Sequence, residues 1–405
     1  MNNILDGKGK FNSCTGCGMC AAICPKDAIK IVLNKEGFYR PIVDESKCIS
    51  CGICKKVCYC YAEECNDNLT EKQAECYSAK NRNKKELEEA SSGGVSIELM
   101  RECIEDGYEV VGVAYDYNED IAISRTAKSN DEIEAFRGSK YFQSYTVDAL
   151  REVIKNNNKK YAIFGTPCQI YAVSKFTEIK RCRERFLLID IFCHGCPTIN
   201  LWKRYLESYK KSVCKTKFDQ IKFRSKTYGW HEYCIDFIYG SKAKHSKKYN
   251  DPFFEIFFGK DVMNDVCYGC KLRSSILNTD IRLGDFWGWQ YDLDRQGVSA
   301  VVCNTDEGKN IFEKVKDKFI IERFNFEDII KDQTYGKNYT YDKTRREFLL
   351  SELQEDKDIN DILKKYRKKM SGAYRIKVVL KNLFKRCGGR LYLIMRQKKH
   401  KDNSK

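Results

Sequence analysis

The sequence predicts a mixed fold, α+β at the N-terminus and α/β in the core, followed by a helical, basic tail. Three observations predict it. Four cysteines fall between residues 14 and 24 and four more between 48 and 58, too densely for a large core and suited to a small cysteine-built domain. Between residues 108 and 211, apolar runs rich in β-formers alternate with helically spaced segments, as in α/β cores. Beyond residue 340 the pattern is helical and increasingly basic.

A chain of 405 residues, 42% hydrophobic, is long enough for two or three domains. The expected division is 1–62 for the cysteine-rich domain, 63–89 for a polar linker, 90–340 for the core and 341–405 for the tail. The opening "MNNILDGKGKFNSC" has no charged start followed by an apolar stretch, and no apolar run approaches the length of a membrane span. The cytoplasm is therefore the expected location. In a reducing compartment, 22 cysteines point to metal or clusters and not to disulfides. The net charge of +16 is misleading as a whole-chain property. Residues 364–405 carry 16 Lys and Arg against the single acid Asp402, leaving 57 against 56 in the rest. Any argument from basicity concerns the tail alone.

In "CTGCGMCAAICP", Cys14, Cys17, Cys20 and Cys24 have the C-x2-C-x2-C-x3-C-P spacing of bacterial ferredoxins, and Cys48, Cys51, Cys54 and Cys58 repeat it. Two runs imply two 4Fe-4S clusters. The first three thiolates of a run grip one cube and the fourth reaches the other. The expected sets are thus Cys14, Cys17, Cys20 with Cys58, and Cys48, Cys51, Cys54 with Cys24. Gly16, Gly18 and Gly52 let backbone N–H groups approach the sulfurs. A tetrahedral zinc site needs only four ligands, usually as separated pairs, and does not account for two runs of four. Tyr59 stands where proline would follow Cys58, a departure that removes no ligand.

In the core, Ser91, Ser92, Gly93 and Gly94 precede a helical pattern whose Ile97, Met100 and Ile104 share a face. Such a helix start suits a phosphate, although a plain Ser-Gly cap has the same sequence. The runs "YEVVGVAY" (108–115), "KYAIFG" (160–165) and "FLLIDIF" (186–192) read as strands, while "VDALREVIKN" and "INLWKRYLESYKK" read as helices. Two of these strands deliver cysteines, Cys168 after one and Cys193 and Cys196 after the other. Loops beyond the carboxyl ends of strands form the ligand crevice of open α/β sheets. "CYGC" adds Cys267 and Cys270, and Gly284, Trp287, Gly288 and Trp289 make a compact turn after it. These thiolates suffice for a third cluster.

With "SSGGVS", "GSKYFQS" (138–144), "GTPCQI" (165–170), "FCHGCP" (192–197), "CYGC" and "TDIRLGDFWG" (279–288) in that order behind a paired ferredoxin module, the chain resembles the coenzyme F-420 hydrogenase/dehydrogenase beta-subunit family of iron-sulfur flavoproteins. The resemblance covers roughly residues 1 to 300. It implies an FAD-dependent oxidoreductase passing electrons between clusters and a two-electron substrate, either F-420 or one connected with polysaccharide biosynthesis. It also implies that Cys168, Cys193, Cys267 and Cys270 hold the core cluster. Cys196 leaves the fourth ligand open, and zinc held by Cys193, Cys196, Cys267 and Cys270 is the alternative. Ser91, Ser92, Gly93, Gly94, Ser139, Lys140, Tyr141, Gly165 and Thr166 become expected FAD contacts, Lys140 to pyrophosphate and Tyr141 over a ring. The competing description is a surface loop with a strand end.

Clusters carry single electrons and a flavin converts them to pairs. The expected partner is ferredoxin or another redox protein, in either direction of flow, with a non-catalytic electron-transfer subunit as the alternative function. His194, beside a candidate ligand, is the candidate proton donor, though a lone histidine is more often structural; His231 has no comparable setting. Cys60, Cys65, Cys76, Cys103, Cys182, Cys214, Cys234, Cys303 and Cys387 match no ligand spacing and read as small apolar residues. "RIKVVLKNLFKRC" reads as a basic amphipathic helix, suited to an anionic membrane face or to docking on the body of the protein. Nucleic acid is not expected, since no recognised module accompanies the basic run.

Overall fold

The computed structural model describes residues 2–4, 14–62, 74–246 and 251–370. The strands are β1 (Ile29–Leu33), β2 (Tyr39–Val43), β3 (Glu75–Asn81), β4 (Tyr108–Asp116), β5 (Ile121–Ala127), β6 (Ser144–Tyr145), β7 (Lys160–Phe164), β8 (Phe186–Ile191), β9 (Gln220–Ser225), β10 (Cys234–Tyr239), β11 (Lys242–His245), β12 (Ile281–Asp285), β13 (Ser299–Cys303) and β14 (Phe319–Phe324).

β1 and β2 pair antiparallel between the two cysteine runs, each of which closes on a single helical turn, Met19–Ala22 and Ile53–Lys56. Both turns start on a glycine with positive φ, Gly18 and Gly52. The core is a nine-stranded sheet in the order β14-β3-β13-β12-β8-β7-β4-β5-β6. β12, β8, β7 and β4 are mutually parallel at its centre, and β5, β13, β3 and β14 are added antiparallel. Helices Val95–Glu105 and Asp306–Val315 cover one face through Val95, Leu99, Ile311 and Phe312. Helices Val147–Lys155 and Pro167–Lys180 cover the other through Leu150, Val153, Ile170 and Phe176. A separate three-stranded sheet, β11-β10-β9, packs its aromatic face on Trp202, in a cluster shared by the helices at 199–212, 252–259, 343–352 and 359–369.

The mixed α/β reading holds, and one expected segment is corrected. Residues 75–81, assigned to a polar linker, form β3, hydrogen-bonded on both sides by β13 and β14. Cys76, Tyr77, Ser78 and Ala79 are all buried. The segment reads as polar because its buried polar groups find partners across the sheet, such as Ser78 with the Tyr291 hydroxyl at 2.7 Å. Within the expected tail, residues 343–352 and 359–369 are helices, and the basic stretch 375–387 lies outside the described residues.

The ferredoxin-type domain is fastened to the core by side chains that read its backbone. Gln143 donates to the Thr15 carbonyl at 2.8 Å and accepts from the Tyr39 N–H, Thr146 donates to the Cys17 carbonyl at 2.7 Å, and Asn264 donates to the Cys14 carbonyl at 3.0 Å. The glycines of the first cysteine loop permit this. A Cβ on Gly16 would stand 2.4 Å from the Gln143 amide, and one on Gly18 2.3 Å from the Thr146 hydroxyl. These two glycines therefore serve the domain interface as well as the loop.

Candidate functional site

The eight N-terminal cysteines fall into two groups in space. Cys24, Cys48, Cys51 and Cys54 line one pocket, with Cys51 exposed to solvent. Asn2 and Asn3 close it, Asn3 lying 3.8 Å from the Cys48 sulfur, and the Ala28 N–H donates to Cys24 at 3.4 Å. Cys14, Cys17, Cys20 and Cys58 form the second, inner group. Burial, then the charge of Cys17, push the Cys14 thiol up to about 11, and Cys58 acts on both Cys14 and Cys17. Four thiols crowded into a dry site cannot ionise against one another unless a cationic centre compensates them, which is what an iron cluster does. The Gly16 N–H donates to the Cys14 sulfur at 3.2 Å. Cys60 hydrogen-bonds to Cys58, a contact no ligand spacing indicates.

At the carboxyl ends of parallel strands a third group assembles. β7 leads through Thr166 into helix Pro167–Lys180, where Cys168 receives the Thr166 hydroxyl at 3.2 Å. β8 leads into the turn carrying Cys193 and Cys196, with the Gly195 N–H on the Cys193 sulfur at 3.3 Å and the Cys196 N–H on the Cys267 sulfur at 3.4 Å. Gly195 has φ +105°, and a Cβ there would lie 3.2 Å from that of Cys267. Burial raises the thiols of Cys168, Cys193, Cys196 and Cys267, Cys267 to about 12, and each also feels other members of the group, Cys270 included. Five cysteines thus converge, one more than a cube binds, and Cys196 faces Cys267, Cys193 and Cys168.

The three groups lie in series. Cys20 of the inner group feels Cys54 of the outer one, and Cys168 of the core feels Cys17 of the inner one. Beyond the core group, charged and aromatic side chains gather around His194. Ile191 is 43% exposed at the end of β8, and His194 is likewise exposed although many other groups surround it. Burial, with Lys260, Arg224 and Arg273 nearby, outweighs Asp285 and lowers His194 to about 4. At neutral pH its ring is uncharged, with one donor and one acceptor, so it is not a standing imidazolium. Arg224 on β9 pairs with Asp285 at the end of β12 and lies over the rings of Tyr233 at 4.5 Å and Trp287 at 5.4 Å. Trp287 is stacked on Trp230 at 4.9 Å, and Trp230 donates to Asp285 at 2.8 Å. Beneath Cys193, Arg282 and Asp190 form a buried two-bond ion pair.

The expected cofactor contacts divide. Ser91 and Ser139 meet, the Ser139 N–H donating to the Ser91 hydroxyl at 3.2 Å, and Tyr141 stands by Arg224. Ser92 and Gly93 are bound to β13 and its approach, at Val298 and Ser299. Gly94, at φ +84°, caps the following helix. Three of the expected contacts have partners within the protein. Lys140 gives its ammonium to the carbonyls of Val113, Arg137 and Ala135 at 2.8, 2.9 and 3.3 Å, so a phosphate would have to compete with three backbone acceptors. The Gly165 N–H is taken by the Ile189 carbonyl, and Thr166 caps its helix and holds Cys168. The cationic residues near His194, Arg224 and Lys260, escaped sequence reasoning because no motif spacing marks them. Lys226, two residues along from Arg224, donates to the Ser92 carbonyl and links the Ser-Gly turn to this group.

Two family models match the chain: residues 13–62 a 4Fe-4S dicluster domain, and residues 158–328 the C terminus of the coenzyme F-420 hydrogenase/dehydrogenase beta subunit. Together they take in more than half of it. The chain is related to the coenzyme F-420 hydrogenase/dehydrogenase beta subunits. Like its relatives it is a redox protein, an iron-sulfur electron-transfer subunit. One component of the F(420)H(2) dehydrogenase of Methanosarcina mazei is 23% identical over 324 residues, 76% of this chain and 84% of that one. A component of the Na(+)-translocating ferredoxin:NAD(+) oxidoreductase complex of Acetobacterium woodii is 47% identical over 51 residues, 13% of this chain and 14% of that one. A chain of the F-420-reducing nickel-iron hydrogenase complex of Methanosarcina barkeri matches with a TM-score of 0.46 and 18% identity, over 73% of this chain and 91% of that one. Among the described residues, no helix is long and apolar enough to cross a membrane.

Proposed function

We propose that this chain is a flavin-dependent oxidoreductase in which three 4Fe-4S clusters lead from an exposed entry at Cys51 to FAD beyond the core cysteines. The observation that carries the reading is the serial order of the cysteine groups, outer to inner through Cys54 and Cys20, inner to core through Cys17 and Cys168, ending beside the exposed Ile191 and His194. Cys24, Cys48, Cys51 and Cys54 hold the outer cluster, Cys14, Cys17, Cys20 and Cys58 the inner, and four of Cys168, Cys193, Cys196, Cys267 and Cys270 the core cluster. When bound, the clusters supply one-electron transfer and the flavin supplies exchange with a two-electron substrate.

The donor chemistry fits both groups. All-cysteine sets with N–H donors on the sulfurs suit iron-sulfur cubes. Aromatic faces at Tyr141 and Trp287 with cations at Arg224 and Lys260 suit a flat, anionic cofactor. Arg273 and Arg282 lie close enough to act on the Cys193 sulfur, and their charge favours the more negative, reduced state of whatever it binds. His194 can relay a proton through its neutral ring. The donor or acceptor at Cys51 is ferredoxin or another one-electron protein, and the substrate is F-420 or another small two-electron molecule.

Iron, acid-labile sulfide and released flavin, quantified on one anaerobically purified sample, test this. About twelve irons and one FAD per chain support it. About eight irons without flavin would reduce the chain to a two-cluster carrier feeding a partner protein.

A further inference from the structure

Away from every cysteine group described above, Cys234, Asp236 and His245 bring a thiol, a carboxylate and an imidazole nitrogen within 4.8 Å of one another. The arrangement is a product of sheet register. Cys234 and Asp236, two apart on β10, project from one face of the strand, and His245 stands directly opposite Asp236 across the β10–β11 pairing. Against β9 the register shifts between Cys234 and Asp236, a bulge of the kind that re-aims side chains.

Asp236 is 5% exposed and Cys234 fully buried. The carboxylate receives the His245 Nδ1 at 2.7 Å, the Cys234 sulfur at 3.1 Å and the Thr227 hydroxyl at 3.1 Å. Among the described residues its one ion pair is with His245, so no Lys or Arg neutralises it. A buried carboxylate and thiol beside an imidazole, with no Lys or Arg paired to them among the described residues, form a site short of positive charge.

We propose that Cys234, Asp236 and His245 bind one divalent ion of the zinc type through Sγ, a carboxylate oxygen and Nδ1, with the fourth position open to water beside the half-exposed His245. Mixed sulfur, nitrogen and oxygen donors in tetrahedral array are zinc chemistry, whereas magnesium and calcium avoid thiolate. Tetrahedral ligands at zinc distances stand roughly 3.3–3.7 Å apart, so the trio opens by about half an ångström to admit the ion. Binding displaces the Cys234 thiol proton to solvent and leaves the His245 ring neutral with its proton on Nε2, freeing Nδ1 to ligate, and no electron moves. The ion ties β10 and β11 to each other beside β9, where the Ser225 carbonyl already receives Cys234, and Ser225 lies between Arg224 and Lys226. It is thus a clamp on the strand that carries Arg224.

The test is the zinc and iron content, by elemental mass spectrometry, of full-length anaerobically purified protein incubated with equimolar zinc and desalted. The expected result is about one zinc per chain in the wild type and about fivefold less in both Cys234→Ser and His245→Ala, with iron unchanged. His245 is partly exposed, so its variant folds even where the buried serine is poorly tolerated. Absence of zinc from the wild type, retention of zinc by the His245→Ala protein, or zinc that falls only together with iron would each overturn the proposal.

Discussion

Cys17 and Cys168, 151 positions apart in the chain, lie close enough that the charge of one raises the thiol of the other. The contact joins the small N-terminal domain to the sheet core at the point where each presents sulfur. It is secured by neighbours of both residues, since Thr146 holds the Cys17 carbonyl and Thr166 holds the Cys168 sulfur. On the proposed electron path, domain docking and electron transfer use the same set of contacts.

The proposed crossed sharing of the fourth cysteines has a direct consequence. Cys24→Ser should damage the outer cluster, whose other ligands belong to the second run, and Cys58→Ser the inner one. Each variant should lose about four irons, and paramagnetic resonance of the reduced protein should show different clusters missing in the two. Loss of the inner cluster in the Cys24 variant would refute the crossed assignment.

Gly195 occupies a backbone region that side chains rarely adopt and lies against Cys267. Gly195→Ala should cost roughly 1–3 kcal/mol and distort the turn bearing Cys193 and Cys196. The expected outcome is a lower thermal midpoint with loss of core iron and retention of the N-terminal irons. A variant with unchanged midpoint and full iron content would contradict it.

Arg282→Met would leave the Asp190 carboxylate buried and unpaired beneath Cys193. Removing one member of such a pair costs about 3–5 kcal/mol, whereas replacing both by apolar residues is much milder. The single variant should therefore express poorly, and Asp190→Leu combined with Arg282→Met should recover soluble protein. Yields in the opposite order would show that the pair is not a balanced buried unit.

Asp251 caps helix Pro252–Gly259 at the Phe253 and Phe254 N–H groups, and burial raises its carboxyl to about 6. Because the folded pKa lies above the unfolded one, the stabilisation is complete below about pH 4 and is lost as pH rises through 6. Relative to Asp251→Asn, which keeps the acceptor, the wild type should lose up to roughly 3 kcal/mol, about half of it between pH 5 and 7. Thermal midpoints of the two proteins that run parallel across that interval would contradict the raised pKa.

The N-terminal domain was legible in the sequence because cluster ligation depends on spacing along one short stretch of chain. Its eight cysteines form two groups in space, as crossed sharing requires. The strands at 108, 160 and 186 were legible for a similar reason, as continuous apolar runs at the parallel centre of a sheet. β3 was not, because a strand held between two others can bury serine and asparagine when the neighbours supply partners. The setting of Lys140 was not legible either, because a lysine in a motif says nothing of which acceptors the fold presents, and here three carbonyls converge on it. Arg224, Asp285 and the Cys234 trio depend on strand register across long separations, which no local pattern encodes.

The most direct test of the serial path is the rate of flavin reduction by a one-electron protein donor, compared in stopped flow between the wild type and Cys20→Ser, in variant protein shown to keep its flavin and core irons. The account requires the rate to fall at least tenfold when the inner cluster is lost, since Cys17 and Cys168 join the domains through it. An unchanged rate would mean that electrons reach the flavin by another way, and the series would be wrong.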